Sequence, residues 1–299
     1  MHEVYAYGVI TPSTLIELGD SFPSPGGYAE VARVHPSVGG EAAGGAYVLA
    51  RLGVATKVDG SHLGTDEASR RVVDTLTTAG VDCSALTLED GPGPIAELIF
   101  AHADMRTVLG NYASFLSARA WNQPSREDIE ASRYVCLDPF FGEASKQVAQ
   151  WCLESGTPYV TIDTPPDSAI ARNAEVLIVS EDYAVDQLGM PGADQDLLVT
   201  YSEHCQGLVI LTRGGGTVIC GRAGEAPREY APFDIDARDT TGAGDSFRGG
   251  IIYGLLQGND EAEMIRTASA IAAIVCTKPP SFLNSPNPNE LAEFLEHQH

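Results

Sequence analysis

The sequence predicts an α/β fold: a mostly parallel central sheet with helices on both faces and a small β lid at its edge. Three observations carry this. Short, continuously apolar runs recur at 4–10 (VYAYGVI), 134–138 (YVCLD), 159–163 (YVTID), 176–180 (VLIVS) and 208–212 (LVILT). Segments of helical period lie between them. Two stretches, 11–35 and 93–112, interrupt the alternation with β-like runs and no helix. Strands buried on both faces read as unbroken apolar runs, and strand–helix alternation makes them parallel.

Taken in order, VYAYGVI reads as the first strand, and helices are expected over 43–52, 64–79, 143–155, 182–189 and 194–205. The clearest is EASKQVAQWCLESG, which sets Ala144, Val148, Trp151 and Cys152 on one face and stops at a glycine. In GPIAELIFAHADMRTVLGNY (93–112) the apolar positions Ala96, Leu98 and Phe100 alternate, and Arg106 is placed to point inward. The simplest place for these strands is a flap over the carboxyl ends of the main strands, where it would exclude water from a site. The tail NPNELAEFLEHQH reads as a capped final helix. The alternation continues past residue 200 without a linker, so one domain over 1–299 is expected, with lid segments at about 11–35 and 93–112.

Composition narrows the partners. The chain has 299 residues and a net charge of −23, from 41 acids against 18 bases. Nucleic acid and anionic membranes both call for clustered Lys and Arg, so neither is an expected partner. There is no basic flank followed by an apolar core at the N-terminus, and no run of about 20 apolar residues. A soluble, cytoplasmic protein is expected. The six cysteines are widely spaced with no CxxC pair, which reads as buried free thiols. With so few cations, a phosphate ligand would have to be held by backbone N–H groups, a few arginines or a metal.

The stretch DTTGAGDSFRGG (239–250) supplies such amides. Phe247, Ile251, Ile252, Leu255 and Leu256 form a helical stripe that ends at Gly258, so 240–244 leads into a helix N-terminus. Unpaired N–H groups there make an anion site, and Asp245 lies in the first turn beside it. A base next to amides that receive negative charge is what phosphoryl transfer to an alcohol requires. The bland alternative is a strand-to-helix turn capped by Thr241, with Asp245 merely complementing the helix dipole. Neither GxxxxGK[ST] nor an early GxGxxG is present, which argues against a P-loop or a dinucleotide fold.

These residues resemble a known family. DTTGAGDSF is similar to the C-terminal signature of the ribokinase-like (PfkB) sugar kinases, D-T-x-G-A-G-D-x-F. GGEAAGGAYVLARLG (39–53), LGTDEASRRVVDTLTTAGVD (63–82), VILTRGGG (209–216) and ASAIAAIVCTKP (268–279) resemble further family segments in the right order. The resemblance spans nearly the whole chain. It implies an α/β/α sandwich with a β lid, Mg·ATP as donor and a small sugar or polyol as acceptor. By that resemblance Asp245 is the base and Gly242, Ala243 and Gly244 form the anion hole. Ser180, Thr212, Arg213, Gly214, Gly216 and Thr240 lie towards the nucleotide. Glu181, Asp239 and Thr241 fall at metal positions, the last two for a monovalent cation such as potassium. Ser13, Gly39, Gly40, Gly44, Arg106 and Asp245 face the acceptor. Arg248 reads as a surface ion-pair residue, and a homodimer is expected, since a lid edge can pair.

Three departures stand out. Where many members carry a sugar-binding aspartate after the first strand, this chain has Ser13, and at the family's asparagine it has Gly44. The N-x-x-E magnesium motif appears as SEDY (180–183), and its serine, with the AIVCTKP tail, resembles the ketohexokinase and sulfofructose-kinase branch. Either the acceptor has fewer hydroxyls there, or Glu41, Asp20 or a lid residue replaces the missing ligands. Two alternatives stay open: a nucleoside kinase of the same fold, and a non-catalytic sugar or nucleotide sensor.

Overall fold

The computed structural model describes residues 2–90, 96–102, 105–190, 192 and 194–298. The chain opens with β1 (Val4–Gly8), leaves for β2 (Thr11–Leu18) and β3 (Val31–Gly39), and returns through α1 (Glu41–Arg51) to β4 (Thr56–Gly60). After α2 (Glu67–Thr78), a second excursion forms β5 (Glu97–His102) and β6 (Met105–Gly110), followed by α3 (Tyr112–Ala118) and α4 (Arg126–Glu130). Strands and helices then follow one another: β7 (Tyr134–Leu137), α5 (Glu143–Ser155), β8 (Tyr159–Ile162), α6 (Ala169–Asn173) and β9 (Val176–Ser180). Next come α7 (Glu181–Asp186), α8 (Gln195–Ser202), β10 (Leu208–Thr212) and the hairpin β11 (Val218–Gly221) and β12 (Arg228–Tyr230). The chain ends in α9 (Ala243–Gln257), α10 (Glu261–Cys276) and α11 (Pro288–His297).

The central sheet has the order β12-β11-β10-β9-β8-β7-β1-β4. It is parallel from β10 to β4, with β11 and β12 antiparallel. Period-two alternation feeds two cores. Val4 and Ala6 of β1 join one core with residues of α1, α2, α9 and α10. Tyr5 and Tyr7 join the other, with residues of α5, α6 and α8. This is the three-layer sandwich expected. The strand order diverges at β1, towards β4 on one side and β7 on the other, and such a point opens a crevice at the carboxyl ends. The first strand stops at Gly8 rather than residue 10, because the amides of Val9 and Ile10 turn to side chains. They donate to Asp138 Oδ2 at 2.7 Å and Ser61 Oγ at 2.9 Å.

The two excursions meet as a second sheet, β3-β2-β5-β6, in which β2 and β5 are parallel. Residues 93–95, 103 and 104 of the expected second lid segment lie outside the described residues. The expected face of β5 is corrected. Leu98 is 43% exposed, whereas Glu97, Ile99 and Ala101 are buried. Apolar residues occur on both faces of this strand, so alternation alone cannot choose. The register against β2, which pairs Leu15 with Ile99, decides it. All six cysteines are free and five are buried. Among the described residues no helix is long and apolar enough to cross a membrane.

Helix α9 is packed between α1 and α10, and small residues let it approach them closely. A methyl group at Gly250 would stand 2.6 Å from the Cα of Ala268. Replacing a helix-interior glycine by alanine ordinarily gains about 1 kcal/mol. Here the obstacle is backbone, which cannot rotate away, so the overpacking cost of about 1–3 kcal/mol dominates. Gly250→Ala is therefore expected to lower stability in urea unfolding. A stabilised variant would mean that α9 and α10 can move apart freely.

Candidate active site

The turn 239–242 is built around one buried carboxylate. Asp239 is 2% exposed, and its Oδ1 accepts from the Thr241 amide at 3.0 Å. Gly242, in the left-handed region at φ 71°, caps α9 without a side chain. Thr241 is thus not the cap, and the helix N-terminus is open to an anion. Of the three amides expected to form the anion hole, Ala243's is turned to Thr240 O at 3.2 Å. Thr241 Oγ1 is buried with no hydrogen-bond partner.

Behind Asp245 stands a buried charge that sequence reasoning misplaced. Arg248 is 0% exposed rather than a surface residue. Its Nη1 donates to Asp138 Oδ1 at 2.6 Å and its Nη2 to the carbonyl of Glu41 at 2.5 Å. Helix α9 is buried on nearly every side, so a position three residues after Asp245 has no route to water. Asp138, also 0% exposed, follows β7 and ties Val9 with its other oxygen. The pair holds the ends of β1 and β7, the start of α1 and the first turn of α9 together.

Burial pushes the pKa of Asp245 up to about 6; Asp138 adds to the rise, while Arg248 and Arg106 oppose it. Glu41 is raised well above the carboxylate range, first by burial and then by Asp138 and Asp245. Gly44 is not a ligand position in this geometry. A methyl there would come 2.7 Å from Cβ of Asp245, so the glycine makes room for the carboxylate, and an asparagine would displace it.

Between this floor and the lid lies a cavity of about 180 Å³. Ser13, Gly39, Gly40, Arg106 and Asp245 line it, as the sequence reading placed them. Ser13 is 5% exposed, and its Oγ has no partner. Arg106 is exposed at the rim and donates to Thr240 O at 3.0 Å. Of the two carboxylates considered as replacements, Glu41 lines the cavity and Asp20 stands exposed on the lid. Sequence reasoning missed Glu97, Tyr112 and Phe282, which also line it, and Asp138 beneath it. An acid inside an apolar strand (AELIF) and an acid at a strand's carboxyl end (YVCLD) were the available signals.

The expected nucleotide residues gather at the neighbouring strand ends, where Ser180 and Thr212 pair in register. The Ser180 hydroxyl is partly used. It donates to Asp163 Oδ2 at 3.0 Å and caps α7 by accepting from the Tyr183 amide, which leaves one lone pair for a ligand. Arg213 turns its Nε back to Thr217 O at 3.2 Å, which leaves Thr212, Gly214 (φ 53°) and Gly216 presenting the turn. Glu181 lies in the first turn of α7, away from Asp239 and Thr241 in sequence. Among the described residues no three His, Cys, Asp or Glu side chains are grouped to hold a metal. Magnesium would accordingly be bound through phosphates, water and one or two carboxylates.

Comparison with known proteins gives one consistent picture. Residues 1–288 match the pattern of the pfkB family carbohydrate kinase. The ribokinase of Haemophilus influenzae is 26% identical over 289 residues, covering 92% of this chain and 93% of its own. The 5-dehydro-2-deoxygluconokinase of Bacillus velezensis is 26% identical over 258 residues, 81% of this chain and 73% of its own. Ribokinase of Arabidopsis thaliana, solved with ribose and ATP, matches in fold with a TM-score of 0.82 at 18% identity, covering 99% of each chain.

Arg248→Met should cost about 3–5 kcal/mol in chemical unfolding, because it strands the Asp138 charge. Adding Asp138→Asn should recover part of that loss, since the amide still accepts from Val9 without a net charge. A single variant as stable as the wild type would show that the pair does not bind these elements together.

Proposed function

The chain belongs to the pfkB family of carbohydrate kinases, and we propose that it transfers the γ-phosphoryl group of ATP to a hydroxyl, primary by our reading, of a small sugar or polyol beneath the lid. The observation that supports this best is the position of Asp245. It faces the cavity from the first turn of a helix whose N-terminus no side chain caps. A base and a set of anion-binding amides thus share one turn.

In this reading the acceptor hydroxyl lies against Asp245, which takes its proton as the oxygen–phosphorus bond forms. The bond between the γ-phosphorus and the bridging oxygen breaks, and ADP leaves. The amides of Gly242 and Gly244 hold the negative charge on the transferring oxygens, aided by the helix dipole. ATP brings the phosphoryl group, and magnesium neutralises its charge when bound. Thr212, Gly214, Gly216 and Thr240 would border the phosphates, with Glu181 reaching magnesium through water. Thr241 Oγ1, an acceptor without a partner, fits the edge of a monovalent-cation site beside Asp239. The lid, with Ser13 and Glu97, shields the reacting atoms from water. We take the lid and sandwich to act as one catalytic domain.

ADP release from Mg·ATP, read against aldoses, ketoses, polyols and nucleosides, tests the reading. Asp245→Asn should lower turnover on the active acceptor by about 10²–10⁴-fold, the usual worth of a general base. Unchanged turnover would remove Asp245 from the chemistry. With a pKa of about 6, Asp245 is ionised above that pH and loses its basic form below it. The wild-type kcat/KM should accordingly fall on the acid side of about pH 6, roughly tenfold per pH unit, and a profile flat through that value would contradict the assignment.

A further inference from the structure

We infer that the preferred acceptor carries a protonated amine as well as its hydroxyl, and that Glu41 is the residue that selects it, with Ser13 as a second contact. This rests on the kinase reading for the hydroxyl and on the cavity itself for the amine.

The first ground is charge. Three carboxylates line the cavity: Glu41, Glu97 and Asp245. The one guanidinium among its lining residues, Arg106, sits exposed at the rim and is bonded to Thr240 O. Arg248, behind the floor, is matched by Asp138. Glu97 Oε2 accepts from the Tyr112 hydroxyl at 2.5 Å, which satisfies an oxygen without supplying a positive charge. Burial beside Asp138 and Asp245 holds Glu41 towards its protonated form, and Arg106 is the one cation facing Asp245 from the lining, so the space for the acceptor is rich in acids and short of positive charge. A neutral polyol leaves that imbalance in place; an ammonium removes a unit of it.

The second ground is independent of charge. Three oxygens of the lining residues are buried and have no partner: Thr241 Oγ1 at the glycine turn and, at the acceptor end, Glu41 Oε2 and the Oγ of Ser13, a residue only 5% exposed. All three can accept, and a buried acceptor left empty costs free energy, more so for a carboxylate. An ammonium offers three donors and a charge, whereas a hydroxyl offers a single donor. Position 41 also fixes the geometry. It is the first residue of α1, and Arg248 Nη2 grips its carbonyl, so its side chain starts from an anchored backbone.

The probes are matched pairs: glucosamine with glucose, galactosamine with galactose, and 1-amino-1-deoxyfructose with fructose. ADP release gives kcat/KM for each member, and calorimetry with a non-hydrolysable ATP analogue gives binding. The wild type should favour the amine in at least one pair. Glu41→Gln, nearly equal in shape, should reduce that preference by about 10- to 100-fold, mainly through KM, as loss of a hydrogen bond to a charged group does. Ser13→Ala, a smaller change, should reduce it several-fold and serves if Glu41→Gln folds poorly. Amine-selective binding that depends on Glu41 but gives no turnover would remove the kinase reading and leave this inference standing. Equal use of both members, a preference unmoved by either variant, or no binding of any amine would overturn it. In those cases Glu41 only complements the N-terminus of α1.

Discussion

An arginine with no exposed surface is among the costliest groups a fold can bury, and in this protein the site is built around one. Arg248 is tolerated because Asp138 faces it at 2.6 Å and because the carbonyls of Leu137 and Glu41 also accept from its Nη atoms, although its Nε is left without a partner. Removing such a charge from water costs several kcal/mol, and only close pairing returns it. The geometry is correspondingly demanding. Its Nη atoms find these partners only if the end of β7, the start of α1 and the first turn of α9 stand in one arrangement. That arrangement places Asp245 against Gly44 and turns it to the cavity. A chain with 18 basic and 41 acidic residues commits one of its few cations to a place where no solvent can reach it.

The same arrangement explains the unusual electrostatics of the cavity floor. Burial raises Asp245, Glu41 and Asp138 together; Asp138 makes ionisation of Asp245 and Glu41 harder still, and Asp245 adds to the rise of Glu41. Arg248 opposes the rise in all three. A carboxyl that titrates near pH 6, as Asp245 does, is a compromise between burial and that counter-charge. It remains ionised at neutral pH, yet is more basic than an exposed aspartate.

Much of this was legible in the sequence, and the reasons are physical. The strands at 134, 159, 176 and 208 were readable because parallel strands buried on both faces must be apolar throughout. The glycine turn at 239–244 was readable because close-set glycines just ahead of an apolar stripe of helical period mark the start of a helix. The inward face of β5 was not readable. Leu98 and Ile99 are equally apolar, and only pairing with a strand some 80 residues earlier selects between them. Arg248 was misread for a related cause. Its partner lies 110 residues away, and no local pattern shows that α9 is enclosed on nearly all sides. Gly44 looked like a lost ligand, but its place against Asp245 shows a glycine required by a close approach.

The lid comes from two excursions, at 11–39 and 97–110, while Asp245 and the uncapped helix start come from 242–245. These segments meet across the cavity but share no covalent neighbourhood. Substitutions on the lid strands at 13–15, 97–99 and 106–108 can therefore reshape the cavity without altering the turn 242–245, whereas α1, through Gly44, is tied to it. A scaffold divided in this way lets the shape of the cavity drift by small steps, because the glycine turn does not have to be rebuilt at each of them.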